Sequence, residues 1–305
     1  MRVLLLGADG FIGRRVADRF FADPELQVAV LGRRDSADIR FDLASGSPGA
    51  LARFLDAVMP RVVVNCAGAT YGTPRELVRA NTLAVATVCE AIRRSAEPAR
   101  LVHLGAAAEY GPVQIGAAVP ETADPRPSGA YGVSKLGGTE LALSSGLDAI
   151  VLRVFDTVGP GAPAGSLFGR LAESLRRALE RDEGQVRTAD LSAFRDFVDV
   201  RDVARAVHAA AFSAATGVVN IGSGTGVRLR DAAQLLARAA GFEGRLVEES
   251  RGPLSGSAGE SGDRPAEVLW RQADVRTARD RLGWRPRVPL EESLADVWTE
   301  IACRV

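Results

Sequence analysis

The chain has 305 residues, 38 basic against 38 acidic, with 47% hydrophobic residues and 32 glycines. Zero formal net charge gives no overall attraction to a phosphate backbone or an acidic lipid surface, so no nucleic-acid or membrane partner is expected. The apolar run Val3-Leu4-Leu5-Leu6 ends at Gly7, too short for a signal core or a membrane span, and a cytoplasmic location is expected. Cys66, Cys89 and Cys303 are scattered, and only His103 and His208 could join them, so neither a disulfide frame nor a metal site is expected.

In chain order, Arg2-Val3-Leu4-Leu5-Leu6 reads as a buried strand, followed by Gly7-Ala8-Asp9-Gly10-Phe11-Ile12-Gly13 and a helix through Phe21. Glycines at 7, 10 and 13 permit a tight turn, close approach to a pyrophosphate, and close helix packing. The spacing predicts a dinucleotide-binding turn. A second strand, Gln27 to Leu31, ends in Gly32-Arg33-Arg34, where a site preferring NAD would place an acid on the ribose 2′-hydroxyl. Two guanidinium groups there favour a 2′-phosphate, hence NADP(H) over NAD(H).

The alternation continues through Phe41-Asp42-Leu43 and a strand Arg61 to Asn65 running into Cys66-Ala67-Gly68. A helix around Glu76 to Arg94 and a strand Arg100 to Leu104 follow. After a helix carrying Tyr131 and Lys135 comes a strand Ala149 to Phe155, then Gly159-Pro160-Gly161. Further on are helix Ser166 to Arg181, the segment Arg195 to Val200, helix Arg201 to Phe212, and strand Val218 to Ile221. Strands alternating with helices predict a parallel, doubly wound α/β sheet. Ser250 to Asp263 reads as a mobile Gly/Ser-rich surface loop, Trp270 to Arg285 as structured, and Leu290 to Ile301 as a final helix.

Lys135 is the only lysine among the 38 basic residues, and it lies four residues after Tyr131, one of three tyrosines. A lone lysine would fall there by chance roughly once in a hundred. Where arginine otherwise serves every surface, a retained lysine points to a compact ammonium required beside another group. The spacing places both side chains on one helix face.

These motifs resemble the extended short-chain dehydrogenase/reductase superfamily, whose members act on sugar nucleotides. The resemblance spans nearly the whole chain and rests on Gly7-x-x-Gly10-Phe11-Ile12-Gly13, Asn65-Cys66-Ala67-Gly68, Asn81, Glu109-Tyr110-Gly111, Tyr131-x-x-x-Lys135, Arg153-Val154-Phe155, Arg195-Asp196-Phe197 and Asn220-Ile221-Gly222. The segment Asp190 to Val203 is most similar to that of nucleotide 4-keto-6-deoxyhexose reductases.

The resemblance implies a doubly wound parallel Rossmann sheet with a smaller C-terminal α/β substrate lobe. The dinucleotide-binding domain spans 1–165, with returning segments at about 195–221, and the lobe is mainly 166–194 and 222–305. It implies that Tyr131 protonates a carbonyl oxygen as hydride arrives, and that Lys135 lowers the tyrosine pKa and holds the nicotinamide ribose. Gly7, Asp9, Gly10, Phe11, Ile12, Gly13, Arg33, Arg34, Asp42, Leu43, Ala67, Gly68, Asn81 and Val154 would join them around the cofactor. Ala106, Ala107, Asp156, Arg195 and Arg264 would meet the substrate, and the helices around 76–94 and 129–145 would build a homodimer.

Two positions depart from the family pattern. Counting back from Tyr110, the usual catalytic Ser/Thr is Ala106, and Thr70, Tyr71 and Ser134 are candidate replacement donors, Thr70 foremost. Asp156 stands where relatives often carry asparagine, and its charge would repel a phosphate; Arg264 and Arg271 could compensate. Ala107 and Ala108 occupy the places of the extra bases that dehydration or 3,5-epimerisation needs, so hydride transfer alone is expected. The expected function is NADPH-dependent reduction of a 4-keto group on a nucleotide-linked 6-deoxysugar. A sugar-nucleotide 4-epimerase is the alternative, and a non-catalytic dinucleotide-binding member is a second. Glu109, His103, His208, Trp270 and Trp284 read as structural.

Overall fold

The structure is a computed structural model that describes residues 1–248 and 269–303. Seven parallel strands form the central sheet. They are β1 (Arg2–Leu6), β2 (Gln27–Gly32), β3 (Ile39–Arg40), β4 (Val62–Asn65), β5 (Arg100–Ala106), β6 (Ala149–Val154) and, later in the chain, β10 (Gly217–Ile221). Their order is β10-β6-β5-β4-β1-β2-β3, so the winding reverses between β1 and β4. That reversal opens a crevice at the carboxyl ends of those two strands.

The strands are continuous apolar runs because helices cover both faces. Val3 and Leu5 face one side with α1 (Phe11–Phe21) and α7 (Val200–Ala211), whereas Leu4 and Leu6 face the other. The second side carries α2 (Pro48–Val58) and α4 (Ala84–Arg94), with α5 (Ala130–Ser144) beyond them. Before α4 the chain runs through α3 (Pro74–Val78), capped reciprocally by Thr73 and Glu76, and a π-turn over Arg79–Leu83. The helix expected over 76–94 is therefore one helical rod interrupted by a wide turn. Such turns are frequent at functional positions, and this one carries the buried Asn81.

A smaller unit is built from β7 (Asp156–Val158), β9 (Phe194–Asp199) and β11 (Gly226–Arg228), in the order β11-β9-β7. Beside it lie the parallel pair β8 (Gln185–Thr188) and β12 (Arg245–Glu248), with α6 (Leu167–Glu180), α8 (Leu229–Ala239) and α10 (Leu290–Ala302) around a core that includes Phe168, Leu175, Leu236 and Leu294. Although β9 joins this small sheet, the next elements α7 and β10 return to the large one. The chain then comes back once more. Helix α9 (Arg276–Leu282) and Trp284 pack with the large sheet, and the indole N–H of Trp284 donates to Asp202 O at 2.9 Å.

Asp196 ties these pieces together. Its buried carboxylate accepts from Ser223 Oγ at 2.7 Å, Gly224 N at 2.9 Å and Ala273 N at 2.9 Å. Among the described residues no helix is long and apolar enough to cross a membrane.

Candidate active site

The crevice begins with the glycine turn after β1. Gly7 has φ +79, and a Cβ there would sit 2.7 Å from the Ala67 backbone; a Cβ at Gly13 would sit 2.0 Å from Gly7 O. Both positions therefore require glycine for packing. Gly10 is the N-cap of α1 and supplies no side-chain cap. The first amides of that helix are left for an anion, where the helix dipole also favours negative charge.

From this turn a cavity of about 340 Å³ runs along the carboxyl ends of β1, β4, β5 and β6. Of the expected residues, Gly10, Phe11, Ile12, Gly13, Ala67, Gly68, Asn81, Tyr131, Lys135 and Val154 line it, as do Thr70, Ala106, Ala107 and Asp156. Asp9, Arg33, Arg34, Asp42 and Leu43 do not. Asp9 accepts from Ser36 Oγ at 3.0 Å, which ties the glycine turn to the loop after β2, where Arg33 and Arg34 are exposed. The Asp42 carboxylate is occupied by Ala44 N and Ser45 Oγ, and Leu43 is buried in the core. Arg195 lies on β9 outside the lining, with Nη1 donating to Phe194 O. The Arg264 expectation, like the loop expected over 250–263, lies outside the described residues.

Asn81 organises the wall after β4. Its Oδ1 accepts from Ala69 N at 2.8 Å, while Nδ2 donates to Ala69 O at 2.8 Å and Ser134 Oγ at 3.0 Å. A Cβ at Gly68 would meet Asn81 Oδ1 at 2.9 Å, so that glycine lets the amide close on the strand end. Ser134 is buried between Asn81 and Tyr131 O, to which it donates at 2.8 Å, which corrects its candidacy as a donor into the cavity. Tyr71 spans the mouth, its hydroxyl donating to Gly165 O at 3.2 Å. Thr70 is exposed, lines the cavity and has no side-chain hydrogen bond to the described residues.

Tyr131 and Lys135 lie on α5 as the spacing predicts, Lys135 nearly buried with Nζ donating to Leu104 O. Burial holds Lys135 below an ordinary lysine, against the raising pull of Glu109 and the neighbouring Cys66. Burial also pushes the Tyr131 phenol up to about 12, helped by the negative charges of Glu109 and Asp156, and the Arg271 guanidinium draws it down. The phenol is thus firmly protonated at neutral pH.

Beneath Tyr131 lies a buried ionic network. Glu109 Oε2 accepts from Arg153 Nε at 2.7 Å, and its Oε1 accepts from Ala106 N at 2.7 Å and Thr139 Oγ1 at 3.0 Å. Arg153 stacks 4.6 Å from the centre of the Tyr110 ring, whose hydroxyl donates to Asn220 Oδ1 at 2.7 Å. Glu109 is therefore structural: it fastens the end of β5, where Ala106 presents only a methyl group. His103 pairs through Nδ1 with Asn65 and is wholly buried, and burial, with the nearby Lys135 charge, holds it neutral well below 6.5.

One contact links chain segments 115 residues apart: Arg271 Nη1 donates to Asp156 Oδ2 at 3.2 Å inside the cavity. Arg271, one of the two arginines expected to offset Asp156, meets it because the segment 270–274 returns to the crevice. Thr157, Pro163 and Ser166 also line the cavity without having been singled out. No periodicity or motif in the sequence marks a loop that arrives at a site only through tertiary packing.

Comparison with known proteins agrees with this geometry. A model of the NAD dependent epimerase/dehydratase family matches residues 3–222. The chain is 37% identical to a dTDP-6-deoxy-L-talose 4-dehydrogenase (NAD(P)(+)) of Kitasatospora kifunensis, over 98% of this chain and 95% of that protein. It is 26% identical to a GDP-6-deoxy-D-mannose reductase of Pseudomonas aeruginosa, over 100% of this chain and 98% of the relative. The solved structure of RMD from Pseudomonas aeruginosa complexed with NADPH superposes with a TM-score of 0.84 at 24% identity, covering 100% of this chain and 99% of that one, a likeness of fold. The glycine turn, the parallel sheet and the Tyr131–Lys135 helix place this chain in the NAD dependent epimerase/dehydratase family.

Proposed function

We propose that the protein is an NAD(P)-dependent oxidoreductase that reduces the 4-keto group of a nucleotide-linked 4-keto-6-deoxysugar, with the reverse oxidation at the same site. The observation that carries this reading is Tyr131 and Lys135 in one cavity with the glycine turn, beside a stretch, Ala106-Ala107-Ala108, that holds no further acid or base. With no base in that stretch, and with the cavity carboxylate Asp156 paired to Arg271, the site supports hydride transfer with Tyr131 as its proton donor. The relatives named for a 6-deoxytalose 4-dehydrogenase and a 6-deoxymannose reductase support the substrate class.

The residues fit a nicotinamide dinucleotide. Its pyrophosphate would meet the free amides at the start of α1, and its nicotinamide ribose would meet Lys135; the group supplies the hydride. As hydride reaches C4 of the sugar, the C=O electron pair moves onto oxygen, and Tyr131 gives that oxygen its phenolic proton. Lys135 places a positive charge beside the developing phenolate, and solvent restores the proton. Gly32, Arg33 and Arg34 favour a 2′-phosphate and so NADPH, whereas Asp9 close to Gly32 would also accept a bond from an unmodified ribose. In the homodimer that belongs to this proposal, the helical stretch around 76–94 and α5 would pair. Val78, Leu83, Val133 and Leu141 leave apolar surface exposed on that face.

The test is turnover of NADPH with TDP- and GDP-linked 4-keto-6-deoxysugars by the wild type and by Lys135→Met and Tyr131→Phe. The proposal expects oxidation of NADPH that falls at least about 10²-fold in each variant while NADPH binding persists. A wild type that binds NADPH and oxidises it with none of these sugars overturns it.

A further inference from the structure

Ala106 leaves the end of β5 without the hydroxyl the family pattern places there, and Asp156 adds a negative charge to the site. The Asp156–Arg271 pair bears on both. Asp156 opens β7 opposite Phe197 of β9, and the pair lies in the cavity with the arginine side chain 15% exposed and the aspartate 32%. Asp156 engages only Nη1 of the guanidinium, and Nε is buried with no partner among the described residues. Arginine carries five N–H donors in a planar fork, so several remain for a ligand.

The backbone around Arg271 is pinned on both sides. The Trp270 indole donates to Ala117 O at 2.8 Å, and Gln272 O accepts from Val119 N at 2.8 Å. Gln272 Nε2 donates to Gly224 O at 2.9 Å, and Ala273 N to Asp196. Ala273 packs with Ala107 and Phe155 in one apolar cluster, which sets this segment against the turn where the hydroxyl is missing. A fixed backbone and a carboxylate anchor hold the guanidinium ready before any ligand arrives, the condition under which a donor is most effective.

We propose that Arg271, clamped by Asp156, is the substrate-positioning residue of this site, and that its free N–H groups donate to the oxygen at the reacting carbon in place of the hydroxyl absent at position 106. This rests on the oxidoreductase reading above. The guanidinium stays protonated throughout; the proton that reaches the oxygen is the one from Tyr131. The charged and titratable groups around the Tyr131 phenol are Glu109, Asp156, Arg271, Tyr71 and, one helical turn along α5, Lys135. Asp156 and Arg271 push its ionisation in opposite directions, so each leaves a different mark on pH dependence.

The experiment compares wild type, Arg271→Gln, Asp156→Asn and the double variant Arg271→Gln/Ala106→Thr. Readouts are kcat and KM, NADPH affinity by fluorescence, and the pH profile of alcohol oxidation. Loss of one preorganised donor predicts a fall of about 10²-fold in kcat for Arg271→Gln, with NADPH affinity kept. The new hydroxyl in the double variant restores about tenfold or more. In the oxidation direction Tyr131 takes the proton, so the rise of activity with pH moves to higher pH in Arg271→Gln and to lower pH in Asp156→Asn. An active wild type whose Arg271→Gln variant keeps its kcat overturns this inference alone. So does a loss that Ala106→Thr leaves unrescued and that leaves the pH profile unmoved. A wild type inactive on every 4-keto sugar nucleotide overturns the functional reading, and this inference with it.

Discussion

Replacing Glu109 by glutamine tests the electrostatic floor of the site. Glu109 is fully buried and receives three donors: Ala106 N and Thr139 Oγ1 on one oxygen, and Arg153 Nε on the other. Glutamine keeps one acceptor oxygen and turns the other into an NH₂. If the oxygen stays toward Ala106 and Thr139, the amide faces Arg153 donor to donor. Arg153 is 3% exposed, so its charge is then buried against Tyr110 with its carboxylate partner gone. Breaking a buried ion pair from one side costs about 3–5 kcal/mol, because an uncompensated charge remains. At roughly 1.6 °C per kcal/mol for a chain of this length, the melting temperature falls by about 5–8 °C. The assay is urea unfolding of wild type, Glu109→Gln, and Glu109→Gln/Arg153→Met, in which the stranded charge is removed as well. The double variant is expected to recover most of the loss. A single variant within about 1 kcal/mol of wild type, or a double variant no better than the single, refutes the argument.

Other consequences follow from the same geometry. Gly13→Ala puts a Cβ 2.0 Å from Gly7 O, so the turn must open; NADPH affinity measured by fluorescence is expected to weaken more than tenfold, and unchanged affinity would dissociate this turn from the cofactor. His103 is held neutral in the folded state, so the unfolded chain binds a proton there that the folded chain refuses. Its contribution is present above the ordinary histidine value of 6.5 and is lost as pH falls below it, by up to about 1.4 kcal/mol per pH unit. The decline in unfolding free energy from pH 7 to pH 5.5 should therefore be about 1 kcal/mol or more smaller in His103→Gln than in wild type. Leu83→Glu with Val133→Glu should convert a dimer to a monomer in sedimentation velocity, while a wild type that sediments as a monomer contradicts the proposed pairing.

Much of the fold was legible because its signals are local. The runs at residues 2–6, 62–65 and 100–106 are largely apolar without alternation, as strands covered on both faces must be, and Gly7 and Gly13 after β1 are demanded by contacts closer than 3 Å. The lone lysine four residues after a tyrosine placed both side chains in the cavity. Less local features were harder to read. A smaller α/β lobe was expected, but its strands were not placed: β7 and β9 join residues about forty apart, and β11 is only three residues long. The π-turn at Asn81 leaves no mark on an otherwise regular apolar spacing. Ser134 looked like a donor because it sits between Tyr131 and Lys135, yet helix geometry turns it away from the cavity and onto Asn81. Asp42 looked like a cofactor contact, and its carboxylate is spent on its own turn. That Arg271 meets Asp156 depends on the path of the chain, which brings together residues 115 apart.

The central claim is hydride transfer to C4 of a nucleotide-linked 6-deoxysugar. It is tested most directly by supplying NADPH deuterated in turn on each face of the nicotinamide, and locating the deuterium in the sugar product by NMR. Deuterium is expected at C4, delivered from one face only, with C3 and C5 carrying no exchange from solvent because no base stands at Ala107 or Ala108. Deuterium absent from C4, or solvent hydrogen incorporated at C3 or C5, would contradict it.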